Sequence, residues 1–339
     1  MNHTHDTHSS APMPQMHMDM GGDFGRTCDG LSWSGVGSQR PSSWLANFTP
    51  GLVLLLWATH WTINVFRSYL TSSKNAPYRA QVVYPVVVGS WSLPVEPALK
   101  ALLPFIFIVI QLWWSGSGWS SSVCPSGSEL SGRLDITQVS GRQNAWTLFG
   151  FLIAGVVDLV ALYIQLPDNT QHVVTGAAFG LQALALYTGE YADMLGGLTY
   201  YCLFLAVAAT AAALALELLL PDEFWPGVLK CYSLWLQAVG YLAAARVLFA
   251  GRPAWDTLHP VPDMSPGMFV PVVFVMWMNI LALALLLVFL VMRWWHAAHL
   301  NEHLRAQSGV QRAGLDLNLG HKDARSVAEL TPLVSAHAP

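Results

Sequence analysis

The chain has 339 residues, of which 53% are hydrophobic and only 11% charged, against roughly 25% charged residues in a soluble globular domain. Lys+Arg 16 against Asp+Glu 20 gives a net charge of −4, and no basic cluster offers the footprint that nucleic acid requires. This composition, with a mean hydropathy of +0.42, argues against a water-soluble enzyme and for a lipid bilayer as the partner.

Residues 1–43 read as a His/Met-rich, extracellular or lumenal disordered tail. They contain no apolar stretch of the kind a cleavable signal needs, so the first membrane helix is expected to direct insertion. The tail carries His3, His5, His8 and His17 with Met13, Met16, Met18 and Met20. Thioether and imidazole ligands suit Cu(I), and a histidine at position three suits Cu(II) when the amino terminus is free. His3, His5, His8, Met16, Met18 and Met20 are therefore candidate copper ligands. The competing reading is a tail whose composition cannot bury a core.

Residues 44–292 hold seven apolar runs: Trp44–Phe66, Glu96–Trp114, Asn144–Gln165, His172–Gly189, Met194–Leu220, Trp225–Ala250 and Met268–Met292. About 20 apolar residues are what a helix needs to cross the hydrocarbon. The runs lack the strict alternation of a membrane β-barrel, and only helices otherwise satisfy the backbone in lipid. The expected fold is thus all-α, a polytopic integral membrane protein with a seven-transmembrane-helix bundle. Val82–Pro94, broken by Pro85 and Pro94, is too short to span and is expected at the interface. The Ser/Gly-rich loop Ser115–Gly141 reads as flexible. The three connections between the third and sixth runs are so short that these neighbours must pack antiparallel.

Placing the N-terminus outside puts Arg67, Lys74, Arg79, Arg293, Arg305, Arg312, Lys322 and Arg325 on the cytosolic side, and Arg26, Arg40, Arg133, Arg142 and Arg252 outside, the direction positively charged loops favour. The short cytosolic connections carry Asp168, Asp222 and Glu223 and no basic residue, which argues against a G-protein-coupled receptor. Cys28 and Cys124 fall on the oxidising side, where they are candidates for a disulfide. Cys202 and Cys231 lie within helices, as small buried hydrophobes.

Gly176, Gly180, Ala206–Ala215, Gly240 and Ala244 predict that the fourth, fifth and sixth helices form the tight centre of the bundle. Asp158 is the leading interior polar residue, because an ionisable group in hydrocarbon costs about 2.5–3.5 kcal/mol on insertion scales and is usually kept for a partner or a cavity. Gln165 and Gly155 are expected on its face, and Gln182 or Gln237 as its partners. Glu217 reads as a snorkelling carboxylate near a helix end, and Lys230 and Arg246 as cations reaching headgroups. Gln143, Asn144, Gln182, Tyr201, Gln237 and Asn279 are expected to turn neutral polar groups to the interior. A structural hydrogen-bond network and a functional site both fit this set.

Residues 293–339 read as a cytosolic tail. Arg293-Trp294-Trp295 is an interfacial anchor, and His296, His299 and His303 share one face of a short juxtamembrane helix. Glu329 with Leu333 and Val334 approximates an acidic dileucine signal for a sorting adaptor.

Some of these residues resemble a known family. Leu236-Gln237, Val247-Leu248-Phe249 and Pro253-Ala254-Trp255-Asp256 look like the sixth helix and following loop of the transmembrane protein 45 family, also called domain of unknown function 716. Gly155-Val156-Val157-Asp158 is similar to its G-V-A-D stretch, Thr49-Pro50-Gly51 to its L-P-G, and Leu216-Glu217 to its L-E. The resemblance implies a seven-helix membrane protein of the secretory and endosomal system without established catalytic activity. Relatives carry helix histidines and a glutamate where this chain has Gln143-Asn144, Gln182, Asn47, Tyr201 and Met278 or Asn279. Neutral amides are poor zinc ligands, so an interior metal site, if the family has one, is expected to be lost here.

Two functional classes remain open. One is a non-catalytic membrane-organising or trafficking protein; the other is a small-solute or metal-ion (copper or zinc) transporter or sensor using the polar interior around Asp158. No HExxH or GxSxG motif supports a membrane hydrolase.

Overall fold

The computed structural model describes residues 28, 41–73, 76–84, 86–88, 91–114, 123–124, 126–129, 131–133, 136–189, 194–249 and 267–298. It is a helical bundle. The helices are α1 (Pro41–Leu70), α2 (Val95–Trp114), α3 (Ile136–Val160), α4 (Thr170–Tyr187), α5 (Met194–Leu219), α6 (Phe224–Phe249) and α7 (Gly267–Ala298). Among the described residues three segments are long and apolar enough to cross a membrane: Arg142–Val160, Met194–Leu219 and Gly267–Ala298. The protein is accordingly compatible with an integral membrane protein. Helices α1, α4 and α6 mix Thr, His, Asn, Gln or Lys into their apolar sequence, and they supply much of the bundle's polar interior.

Two three-residue strands, β1 (Val86–Val88) and β2 (Trp91–Leu93), pair antiparallel with Val86 opposite Leu93. They belong to the stretch expected at the interface. The residues just before them are not peripheral: Tyr78, Ala80, Val82 and Tyr84 are buried, and the Ala80 N–H donates to the Pro221 carbonyl at 2.8 Å. The connector from α1 to α2 therefore folds inward, under the end of the bundle.

In sequence order α2, α3, α4, α5 and α6 each pack on the next, and α1 closes against α6 in the most extensive helix pairing of the molecule. The tight centre is thus not confined to α4, α5 and α6, as the small-residue stripe predicts. A methyl group added at Gly51 would lie 2.9 Å from the Leu242 side chain and 3.1 Å from its backbone nitrogen, which explains the α1–α6 approach. One added at Gly240 meets Leu203 at 2.9 Å, whereas one at Gly180 meets nothing within 4 Å. The GxxxG spacing of α4 is consequently not a helix contact at its second glycine.

The core is aromatic and aliphatic. Trp61, Val65, Phe66, Phe179, Val207, Leu214 and Leu234 are almost fully buried within it. Helix α7 lies along the outside, touching α5 and α6 through Phe274, Trp277, Met278 and Leu281. It runs unbroken through Arg293-Trp294-Trp295 to Ala298, so His296 belongs to the long helix rather than to a separate juxtamembrane one. His299 and His303 lie outside the described residues.

Helix α3 and the loop before it differ from expectation. Helix α3 starts eight residues early, at Ile136 rather than Asn144, and stops at Val160, which leaves Gln165 in the loop to α4 instead of on the face of Asp158. Part of the loop expected to be flexible is a turn, in which the Cys124 N–H donates to the Arg133 carbonyl at 2.8 Å. Gly127 and Gly132 take positive φ there, at 108° and 82°, a conformation that glycine adopts without a Cβ clash.

Cys28 and Cys124 form a disulfide with Cα atoms 5.4 Å apart, tying the N-terminal segment at Cys28 to this turn. Mass spectrometry of unreduced protein should recover the peptides containing Cys28 and Cys124 joined. Alkylation of both thiols without prior reduction would show the bridge to be absent. Cys202 and Cys231 are free and buried.

Candidate functional site: a buried cluster of two lysines and three carboxylates

Helices that alternate in direction bring alternate termini to one end of a bundle. Here that end receives the second half of α1, the start of α2, the end of α3, the start of α4, the end of α5 and the start of α6. Each contributes a polar or aromatic group. Five charged side chains are buried among the described residues: Glu96, Lys100, Asp158, Glu217 and Lys230.

Lys100 uses all three of its ammonium protons. It donates to Asp158 Oδ2, Glu96 Oε1 and the Val82 carbonyl, each at 3.0 Å. The expected partners of Asp158, Gln182 and Gln237, are engaged elsewhere. The Gln182 Nε2 group donates to Tyr241 Oη at 2.9 Å, and Gln237 Nε2 donates to Thr210 Oγ1, which in turn pairs with Ser233 Oγ at 2.7 Å.

Glu96 is the most heavily solvated carboxylate of the cluster, with protein groups in place of water. Trp61 and Trp57 indole N–H groups donate to Oε1 at 2.7 and 3.2 Å, and the Tyr84 backbone N–H donates to Oε2 at 2.8 Å. His60 Nε2 lies 3.3 Å from Oε2. Trp57, His60 and Trp61 stand at i, i+3 and i+4 on α1, the spacing that puts three side chains on one helical face.

Glu217 and Lys230 form a second pair. The ammonium lies 2.7 Å from Oε1 and 2.8 Å from Oε2, and donates also to the Gln81 carbonyl at 2.8 Å. Both side chains are fully buried, so neither snorkels. Arg246 remains exposed, as expected. His172 Nε2 lies 3.7 Å from Glu217 Oε2. Both lysines lie against the Trp61 ring, Lys230 4.6 Å and Lys100 5.4 Å from its centroid, a distance at which a desolvated cation gains from the ring quadrupole. Tyr78, in the connector, is buried by the same elements. Burial and then the Glu217 charge hold its phenol well above the usual range, so it stays a neutral hydroxyl.

The other predicted polar residues divide. Gln143 is half-buried and its Nε2 donates to the Ala185 carbonyl at 2.9 Å. Asn144, Tyr201 and Asn279 are exposed, and Asn279 Nδ2 donates only to Val275 of its own helix. Their helices turn a different face inward. In place of Tyr201 it is Tyr200 that is buried, donating to Asn47 Oδ1 at 3.1 Å.

A cleft of about 810 Å³ opens beside the cluster between residues 79–83 and 161–172, lined in part by Arg79, Gln81, Val82, Gln165, Gln171 and His172. Its two walls touch both ion pairs. Gln81 and Val82 supply the carbonyls that hold Lys230 and Lys100, while Gln171 faces Asp158 and His172 faces Glu217.

Among the described residues no group of three His, Cys, Asp or Glu side chains is placed to hold a metal ion. The candidate copper ligands His3, His5, His8, Met16, Met18 and Met20, the sorting residues Glu329, Leu333 and Val334, and the Pro253-Ala254-Trp255-Asp256 element all lie outside the described residues. No protein-family model matches the chain, and no curated protein matches its sequence.

Proposed function

We propose that this chain is a seven-span membrane protein of the transmembrane protein 45 type, acting without catalysis as a membrane-organising or trafficking component of the plasma membrane or the Golgi and endosomal system. Its N-terminus faces outward and its C-terminus the cytosol. Five of the six matched stretches fall on described residues, and they include Gly155, Asp158 and Glu217, which carry helix packing and buried charge.

The observation that supports the organising role is where the charge goes. Both lysines fasten the connector carbonyls of Gln81 and Val82 to carboxylates on α2, α3 and α5. Interhelical polar contacts of this kind act as glue in membrane bundles. Asp158 itself has no exposed surface and does not line the cleft. A second reading, a small-solute or metal-ion transporter or sensor, draws on the cleft that meets both ion pairs.

Asp158 variants separate the two readings. In the organising role Asp158→Asn folds, keeps its thermal stability and reaches its normal compartment, and proteoliposomes of wild type and variant take up copper, zinc and small solutes no faster than empty vesicles. Asp158→Leu loses one charge-assisted hydrogen bond, at a cost of about 1.5–3 kcal/mol, because Lys100 retains Glu96 and Val82. Wild-type uptake that Asp158→Asn abolishes would establish transport instead.

A further inference from the structure

The buried cluster contains three carboxylates, Glu96, Asp158 and Glu217, and two lysines, Lys100 and Lys230. Beyond the two lysines the nearest titratable base is the part-exposed His60, 3.3 Å from Glu96 Oε2; one negative charge is left without a fully buried cation, and an uncompensated charge in a low-dielectric interior is among the costliest arrangements a protein can hold. A proton resolves it, and the hydrogen bonds decide which group carries that proton.

Glu96 receives the Trp57, Trp61 and Tyr84 N–H groups as well as Lys100, and has His60 against its second oxygen. Multiple donors favour the ionised form. Glu217 is gripped through both oxygens by Lys230. Asp158 has fewer donors than Glu96: Oδ2 is engaged by a lysine it shares with Glu96, the Gln171 side chain is a second donor beside it, and Oδ1 is buried without a close hydrogen-bond partner among the described residues. We propose that Asp158 is a proton-binding site: a neutral carboxylic acid at neutral pH, protonated on Oδ1, that exchanges its proton with water in the cleft between residues 79–83 and 161–172.

Polar groups stand between the cleft and Asp158. Gln171 lines the cleft and faces Asp158. One turn deeper on α4, Thr175 stands at i+4 from Gln171 and i+3 from His172, hence on the same side of the helix. Its hydroxyl is buried and, like His172 Nε2, has no hydrogen-bond partner among the described residues. Buried polar atoms are satisfied by protein or by ordered water, and water entering from the cleft serves these two and Asp158 Oδ1 together. Exchange then needs no other reactant: a hydronium ion gives its proton to the Asp158 carboxylate and leaves as water, and the reverse step returns it.

The opposite side is closed. Trp57, Phe151 and Phe179, each further toward the other end of its helix, pack with ring centroids 5.0 to 6.4 Å apart. The site therefore opens to one end of the bundle only. The charged and titratable groups facing it are Glu96 and Lys100 from α2 and His172 from α4, with His60 of α1 beyond Glu96 and Arg79 of the connector at the cleft.

Infrared spectroscopy of the full-length protein in phosphatidylcholine nanodiscs tests this. At neutral pH the wild type should show a protonated-carboxyl stretch that Asp158→Asn removes and that heavy-carbon-labelled aspartate shifts; the label keeps the assignment possible if the variant fails to fold. The stretch should disappear as pH rises through the point where the folded protein gives up the proton, and wild-type thermal stability should fall up to that point and level off beyond it, because in that window the folded state still holds a proton that the unfolded chain has already lost. Asp158→Asn should lack that slope. In heavy water the stretch should shift promptly, and Thr175→Val should slow the shift several-fold without altering its intensity. Absence of an aspartic-acid stretch at neutral pH overturns the proposal. Exchange in Thr175→Val at the wild-type rate overturns the route. Neither result depends on whether the protein organises membranes or transports solutes.

Discussion

Replacing Lys230 by methionine should destabilise the protein by about 3–5 kcal/mol, the cost of removing one partner from a buried ion pair. The side chain is completely buried, and its ammonium holds Glu217 through both oxygens, the Gln81 carbonyl, and the face of Trp61. Methionine fills much of the volume but leaves the Glu217 carboxylate uncompensated. The double variant Lys230→Met with Glu217→Leu should recover most of the loss, since replacing both members of such a pair by apolar groups is often neutral. Thermal unfolding in matched detergent measures both. A single variant as stable as wild type would mean that the pair is solvated, and a double variant no better than the single would mean that Lys230 acts through Gln81 and Trp61 rather than Glu217.

That pair also shows why part of the site is hidden in the sequence. Glu217 and Lys230 sit near the ends of apolar runs, where a charged residue ordinarily snorkels to the headgroups. Their burial depends on a third element, the connector from Tyr78 to Tyr84, which folds under the bundle and covers both. Nothing local announces that fold, because the stretch is only a few residues long between Pro77 and Pro85 and carries no long periodic pattern. Glu96 and Lys100 do carry a local sign, being an acid and a lysine at i, i+4 inside an apolar segment, a spacing at which they pair. With the spacing of Trp57, His60 and Trp61 it points to a buried network of which Asp158 is only one member.

Asp158 itself is legible, because a carboxylate deep in an apolar run is too costly to stand there without a partner or a cavity. Gln182 and Gln237 are found inside for the same reason. Asn144, Tyr201 and Asn279 face outward, against expectation, because lipid and protein interior are equally apolar, so hydrophobic periodicity does not reveal which face of a membrane helix turns inward. Tyr200 and Tyr201 differ by one position and point to opposite environments. Membrane character is readable from composition and run length, whereas the pairing of α1 with α6 has no counterpart in the small-residue pattern except Gly51.

The second large effect concerns Gly155, three residues before Asp158. A methyl group added there would lie 2.5 Å from the Lys100 carbonyl carbon and 2.7 Å from its oxygen, and would also overlap the Ala101 backbone nitrogen. These are backbone atoms and cannot rotate aside, so Gly155→Ala has to push α2 from α3. That displacement also carries the Lys100 backbone away from Asp158, which couples helix packing to the Lys100–Asp158 hydrogen bond through a single residue. Overpacking of this kind costs about 1–3 kcal/mol, occasionally more, and here a weakened Lys100–Asp158 contact adds to it. The control is Gly180→Ala on α4, where the added methyl meets nothing within 4 Å. Glycine in a helix interior is worse than alanine by roughly 0.5–1 kcal/mol, so the control should gain stability by up to that amount. The two Gly→Ala changes are chemically identical and should shift the melting temperature in opposite directions. If Gly155→Ala is as stable as wild type, α2 and α3 do not cross at Lys100, and the contact that brings this lysine to Asp158 must be made differently.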